Sequence, residues 1–160
     1  MRIVIAAIGR LKDGGERELL DRYVGRIDSN ARVSAIGPVT IHEFPESRSS
    51  DAASRKADEA SRLLRIAGDA DGLIALDEHG RATSSADFAR LIGNHRDEGT
   101  KSLAFLIGGP DGHGDPVLAA AKLKLSLSAM TLPHGLARVV LAEQIYRTVT
   151  ILTGHPYHRT

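Results

Sequence analysis

The chain has 160 residues, 42% of them apolar and 26% charged, a balance that suits one soluble α/β domain spanning residues 1–160. It contains no cysteine, which excludes a disulfide framework, a thiolate metal site and a cysteine nucleophile. The net charge of +1 is uninformative as a total, but from Pro116 onward five Lys/Arg stand against a single Glu. An anionic partner is therefore expected at the C-terminal third.

Taken in order, residues 2–8 form a continuous apolar run rich in Ile and Val, the pattern of a strand covered on both faces. That run is too short for a secretory signal and leads into Gly9-Arg10-Leu11-Lys12, so a cytoplasmic location is expected. No apolar stretch reaches the roughly 18 residues of a membrane span. Residues 16–27 place Leu19, Leu20, Tyr23, Val24 and Ile27 at helical spacing. A second strand is expected in the later half of residues 33–44, because Gly37-Pro38 interrupts the earlier half. Residues 51–67 read as an amphipathic helix with Ala57, Ala60, Leu63, Leu64 and Ala67 inward and Gly68 at its end.

Residues 72–77 predict a short buried strand closing on a turn, Asp77-Glu78-His79-Gly80. Ser84 and Asp87 have capping-box spacing, so a helix is expected over 85–95 with Phe88, Leu91 and Ile92 inward. A fourth strand over 101–107 runs into a glycine loop, residues 107–114, after which Asp115 as N-cap and Pro116 predict a short helix. Residues 125–132 alternate like a strand and break at Pro133, and a long helix is expected over 136–152. Strands alternating with helices imply a mostly parallel sheet with flanking helices. Two strands that each end in a bend opening a helix then read as neighbouring binding loops at the carboxyl edge.

The glycine loop has neither a P-loop lysine nor the dinucleotide spacing. It contains Asp111, with Asp115 directly after it, but no Lys or Arg, which suits a polar, weakly anionic ligand such as an adenosine moiety. The small residues Ser128 and Ala129 would let such a ligand approach the backbone closely. His134, His155 and His158 lack an acidic third ligand nearby in sequence, so no metal is expected. Tyr157, set between histidines and Arg159, suits base stacking and phosphate pairing. No Gly-x-Ser-x-Gly elbow is present.

Four ordered segments, 105–112, 125–134, 138–147 and 155–159, closely resemble the RlmH family of small bacterial SPOUT-class methyltransferases. The resemblance covers the whole chain and is most specific from Leu103 on; residues 12–15 and His113-Gly114 match less well and are given no role. It implies a SPOUT α/β fold with a C-terminal trefoil knot, a homodimer, and S-adenosylmethionine as cofactor. It also implies methylation of N3 of a pseudouridine in 23S rRNA on the assembled ribosome. Carried over by motif, the cofactor contacts are Leu76, Gly108, Leu127, Ser128, Ala129, Met130, Thr131 and Leu132. Arg147, Tyr157, His158 and Glu143 are the candidates for positioning the base and managing its proton, His158 first as proton acceptor and Glu143 as its competitor. Arg138, His155 and Arg159 are the candidate RNA contacts. Glu143 and Arg147, four apart on one helix, also suit a plain surface ion pair. Val139, Val140 and Leu141 suit either a dimer contact or the core. Three other readings stand beside this one: a non-catalytic RNA-binding or ribosome-associated module, a nucleotide-binding hydrolase, and a SPOUT methyltransferase with another RNA acceptor.

Overall fold

The computed structural model describes residues 1–157. Five strands form one sheet: β1 (Arg2–Ile8), β2 (Val39–Phe44), β3 (Gly72–Ala82), β4 (Ser102–Ile107) and β5 (Leu123–Ser126), in the order β2-β1-β4-β3-β5. Every neighbouring pair is parallel. The helices are α1 (Gly15–Ser29), α2 (Ala31–Ser34), α3 (Ala52–Ala67), α4 (Ser85–Asp97), α5 (Asp115–Ala120) and α6 (His134–Leu152).

Alternation along the strands sorts the core into two layers. Ile3, Ile5 and Ala7 of β1 and Leu103, Phe105 and Ile107 of β4 face Ile27 of α1, Phe88 and Ile92 of α4, and Leu141, Ile145 and Val149 of α6. The intervening residues, Ala6, Ile8, Ala104 and Leu106, face Ala60, Leu63 and Ala67 of α3 and Val117 of α5. Because both faces are covered, β1 and β4 are apolar throughout apart from their first residues, as the sequence runs imply. Helix α6 is buried on most sides: Val139 and Leu141 are core, and Val140 is half-buried. No helix of the described residues is long and apolar enough to cross a membrane.

The helix starts follow their capping signals. The Asp51 carboxylate accepts from the Ser54 amide at 2.8 Å, and the Ser84 hydroxyl accepts from the Asp87 amide at 3.1 Å. Four expectations are corrected. Ala57 is exposed, and Glu59 takes the inward place on α3. Helix α5 begins at Asp115 itself, with Gly114 as N-cap and no side-chain cap. The strand does not close on a turn at residues 77–80: the Asp77 carboxylate accepts from the His79 amide at 2.8 Å, but β3 runs on unbroken through Ala82. It can do so because β5 accepts it on both sides of an irregularity: Leu76 and Arg81 both pair with Leu125. A Cβ on Gly80 would lie 2.7 Å from the backbone of Lys124 and Leu125, so this close approach needs glycine.

The fourth correction bears on the site. Residues 127–132 are not strand; β5 stops at Ser126. The Ser126 hydroxyl donates to the Ser128 carbonyl at 2.8 Å, and the Ser128 hydroxyl accepts from the Met130 amide at 2.9 Å. These two serines offer the backbone a bend in place of a sheet ladder.

Candidate functional site

In a parallel sheet all carboxyl ends lie at one edge, and here the ends of β3, β4 and β5 open onto one cavity of about 690 Å³. Its lining includes Leu76 to His79 after β3, Ile107 to His113 after β4, and Leu125 to Ser128 with Met130 to His134 after β5. Lys56 of α3 and Ala137 of α6 also belong to the wall. Of the proposed cofactor contacts, Leu76, Gly108, Leu127, Ser128, Met130, Thr131 and Leu132 all line this cavity. Ala129 belongs to the same bend and is exposed.

The glycine loop is folded on itself. The Gly112 amide donates to the Gly109 carbonyl at 2.9 Å, and a Cβ on Gly108 would stand 3.1 Å from the Gly112 backbone. Any side chain at Gly108 must therefore shift the loop or enter the cavity. The loop is tied to α3 by Arg55, whose Nε and Nη2 donate to the two Asp111 oxygens at 2.7 and 3.1 Å. This hydrogen bond and charge hold the Asp111 carboxyl below the ordinary range. The loop thus carries no free negative charge at Asp111, a compensation that comes from 56 residues upstream.

His113, which carries no role in the sequence reading, ties the loop to β3. Its side chain is 6% exposed, and Nε2 donates to the Leu76 carbonyl at 3.0 Å. The carbonyl can only accept, so the proton sits on Nε2; Nδ1 is buried without a partner among the described residues. Burial pushes the imidazole below its ordinary value, partly offset by the Leu76 carbonyl and the Asp77 charge. A group depressed this way stabilises the fold fully above the unfolded value of about 6.5, and that contribution is lost as pH falls through the folded value. Between pH 7 and 5.5, wild type should lose up to about 1.4 kcal/mol per pH unit more than His113→Gln, which keeps a donor and does not titrate. Urea unfolding at several pH values checks this; parallel pH profiles would remove His113 as the cause.

Glu143, Arg147 and Tyr157 are brought together as the sequence implies, but not at the cavity. Arg147 donates to Glu143 Oε1 through Nη2 at 2.7 Å and Nε at 3.1 Å, and the Tyr157 hydroxyl donates to the same oxygen at 3.2 Å. Gln144 donates to Oε2 at 2.7 Å, so both Glu143 oxygens are occupied as acceptors. The Arg147 guanidinium lies 5.2 Å from the Tyr157 ring centre, and Tyr157 packs on Tyr146 at 4.8 Å. Burial, the Tyr23 hydroxyl and the Glu143 charge raise the Tyr157 phenol, so it is a donor at neutral pH. The hydrogen bond to Glu143 raises the Arg147 guanidinium further above its ordinary value. None of these residues lines the cavity. The last α6 residue that does is Ala137, and Arg147 lies about 15 Å farther along the helix.

Arg138 corrects the RNA-contact expectation. Its side chain is 0% exposed; Nη1 donates to Glu43 Oε1 at 2.5 Å, and Nη2 donates to the carbonyls of Ile8 and Gly9 at 2.8 and 2.6 Å. Burial lowers this guanidinium from its ordinary value, and Glu43 counters the effect. The guanidinium is spent inside the protein and cannot meet a phosphate. His155 is exposed, its Nδ1 accepting from the Tyr157 amide at 3.2 Å. His158 and Arg159 lie outside the described residues. Among the described residues, no three His, Asp or Glu side chains are grouped to hold a metal ion.

Residues 1–158 match the family model described as "Predicted SPOUT methyltransferase". The ribosomal RNA large subunit methyltransferase H of Bradyrhizobium sp. (strain ORS 278) is 50% identical over 159 residues, covering 99% of this chain and 98% of the relative. The protein of the same name from Xanthobacter autotrophicus is 51% identical over 159 residues, covering 99% of each chain. Among solved structures, a probable methylase family protein from Haemophilus influenzae Rd KW20 superposes with a TM-score of 0.55 at 10% identity. That match covers 99% of this chain and 70% of the other, and it speaks to fold alone. With the family model spanning nearly the whole sequence and full-length relatives at half identity, the chain belongs to the SPOUT methyltransferase family.

Proposed function

We propose that the chain is an S-adenosylmethionine-dependent methyltransferase of 23S rRNA whose acceptor is N3 of a pseudouridine on the assembled ribosome. The cavity at the sheet edge carries this reading. Its walls combine apolar side chains such as Leu76, Ile107, Leu127 and Leu132 with the small residues Gly108, Gly109, Gly112, Ser126 and Ser128, which suits a nucleoside packed on apolar groups and held through its edges. S-adenosylmethionine is the cofactor, and about 690 Å³ is ample for it. Leu76, Gly108 and the bend at residues 127–132 would hold it, with the trefoil knot of the family formed around that bend. The ribosomal substrate implies a cytoplasmic site of action.

The cofactor supplies an electrophilic methyl group; the chain supplies alignment and proton management. The acceptor N3–H must be lost for its lone pair to attack. A guanidinium beside the imide favours the anion, and Arg147 offers one that is permanently protonated. Glu143 and Tyr157 hold that guanidinium in place. Glu143 is then a positioning residue, engaged by Arg147, Tyr157 and Gln144, and His158 is assigned as the proton acceptor. His155 and Arg159 are assigned to RNA contact.

Because Arg147 and Tyr157 do not line the cavity of their own chain, the site is completed in a homodimer. One protomer's C-terminal cluster meets its partner's cofactor. Calorimetric titration with S-adenosylmethionine, with ATP as control, tests the cofactor half of the proposal. Saturable binding of the first is expected, reduced at least about 100-fold by Gly108→Trp, whose ring either enters the cavity or displaces the loop that lines it. Tight binding of ATP in its place would overturn the reading.

A further inference from the structure

We propose that Lys56 is the cofactor's carboxylate anchor and so makes the pocket select for an intact amino-acid tail. This rests on the reading of the cavity as the S-adenosylmethionine pocket. That molecule carries one carboxylate, one ammonium and one sulfonium, so a pocket that accepts it must neutralise a single negative charge amid positive ones. The described lining residues hold one cation of fixed charge, Lys56.

Lys56 sits on the second turn of α3, half-buried, with no carboxylate within 4.0 Å among the described residues. Its neighbour Arg55 is consumed by Asp111, which leaves Lys56 free for a ligand. A Cβ on Gly114 would stand 2.7 Å from the Lys56 carbonyl, so the Lys56 backbone lies against the end of the glycine loop.

The lining also holds Asp77 and Glu78, which are carried on β3, a different element from Lys56 of α3. A ligand whose carboxylate meets Lys56 keeps its α-ammonium beside that carboxylate and leaves its sulfonium to face Asp77 and Glu78. A charge-assisted bond from the ammonium to the carboxylate is the interaction such a geometry offers. No feature of the local sequence signals it, because residue 56 and the glycine loop are joined only by the fold.

The test compares S-adenosylmethionine with decarboxylated S-adenosylmethionine, which keeps the adenosine, sulfonium and amine. Both are titrated calorimetrically into wild type, Lys56→Gln and Lys56→Arg. Lys56→Gln is expected to weaken S-adenosylmethionine about tenfold, as loss of one charged hydrogen bond implies, and to leave the decarboxylated compound unchanged or tighter. Lys56→Arg should restore most of the loss. Equal weakening of both ligands would make Lys56 a structural residue, and no weakening of either would place its ammonium outside the pocket; each outcome overturns the proposal. Failure of wild type to bind either ligand would instead sink the cofactor reading itself, and the anchor with it.

Discussion

Arg138→Met should destabilise the protein by about 3–5 kcal/mol, the usual cost of breaking a buried ion pair from one side. At this chain length that corresponds to a fall in Tm of about 10–15 °C. Arg138 is a hub between elements: its guanidinium joins α6 to the end of β1 through Ile8 and Gly9 and to β2 through Glu43. Arg17 of α1 donates to the other Glu43 oxygen at 2.5 Å, so two helices converge on one carboxylate. In the variant, two buried carbonyls lose their donor and Glu43 keeps only Arg17 and the Leu11 amide. Arg138→Lys should recover little, because a single ammonium cannot span the three acceptors of the planar fork. The start of α6 is held by this network, and His134 and Ala137 carry it to the cavity wall, so cofactor affinity should fall as well. Thermal unfolding and calorimetry read the two effects separately. Unchanged stability with weakened RNA binding would return Arg138 to the protein surface and contradict the network.

The misplacement of Arg138 shows where the sequence stops informing. A lone cation on a long helix looks solvated, and the acceptors that bury it are 95 to 130 residues away. Separations of 56 and 37 residues likewise hide Arg55 from Asp111 and His113 from Leu76. Local chemistry was read well. Apolar runs marked β1, β3 and β4, caps marked α3 and α4, and two strand-bend-helix units placed the cavity at the sheet edge. The alternating run 125–132 misled because periodicity reports where side chains can point, while Ser126 and Ser128 decide by hydrogen bonds that the backbone bends. The continuation of β3 through residues 77–82 was equally hidden, since pairing with β5 on both sides of the irregularity supports it.

A heterodimer carrying Gly108→Trp in one protomer and Arg147→Ala in the other should retain about half of wild-type methylation, although each variant homodimer loses at least about 100-fold. The expectation follows from the separation along α6. Arg147 lies about 15 Å beyond the last α6 residue of the cavity, farther than its side chain reaches, and Tyr157 folds onto that distal half. If the cluster serves the partner's pocket, the heterodimer has one doubly disabled site and one intact site, and half the activity survives. If the cluster serves its own pocket, each site carries one lesion and activity stays at the level of the variants. Two affinity tags isolate the mixed dimer, and methyl transfer to ribosomes from a strain lacking the modification reads the outcome. Substitution at Arg147 leaves a carboxylate that Gln144 and Tyr157 still satisfy, so the cluster variant should keep its fold and bind cofactor like wild type. Activity no higher than that of the homodimers would place the whole catalytic apparatus within one chain and require α6 to bend or shift toward its own cavity.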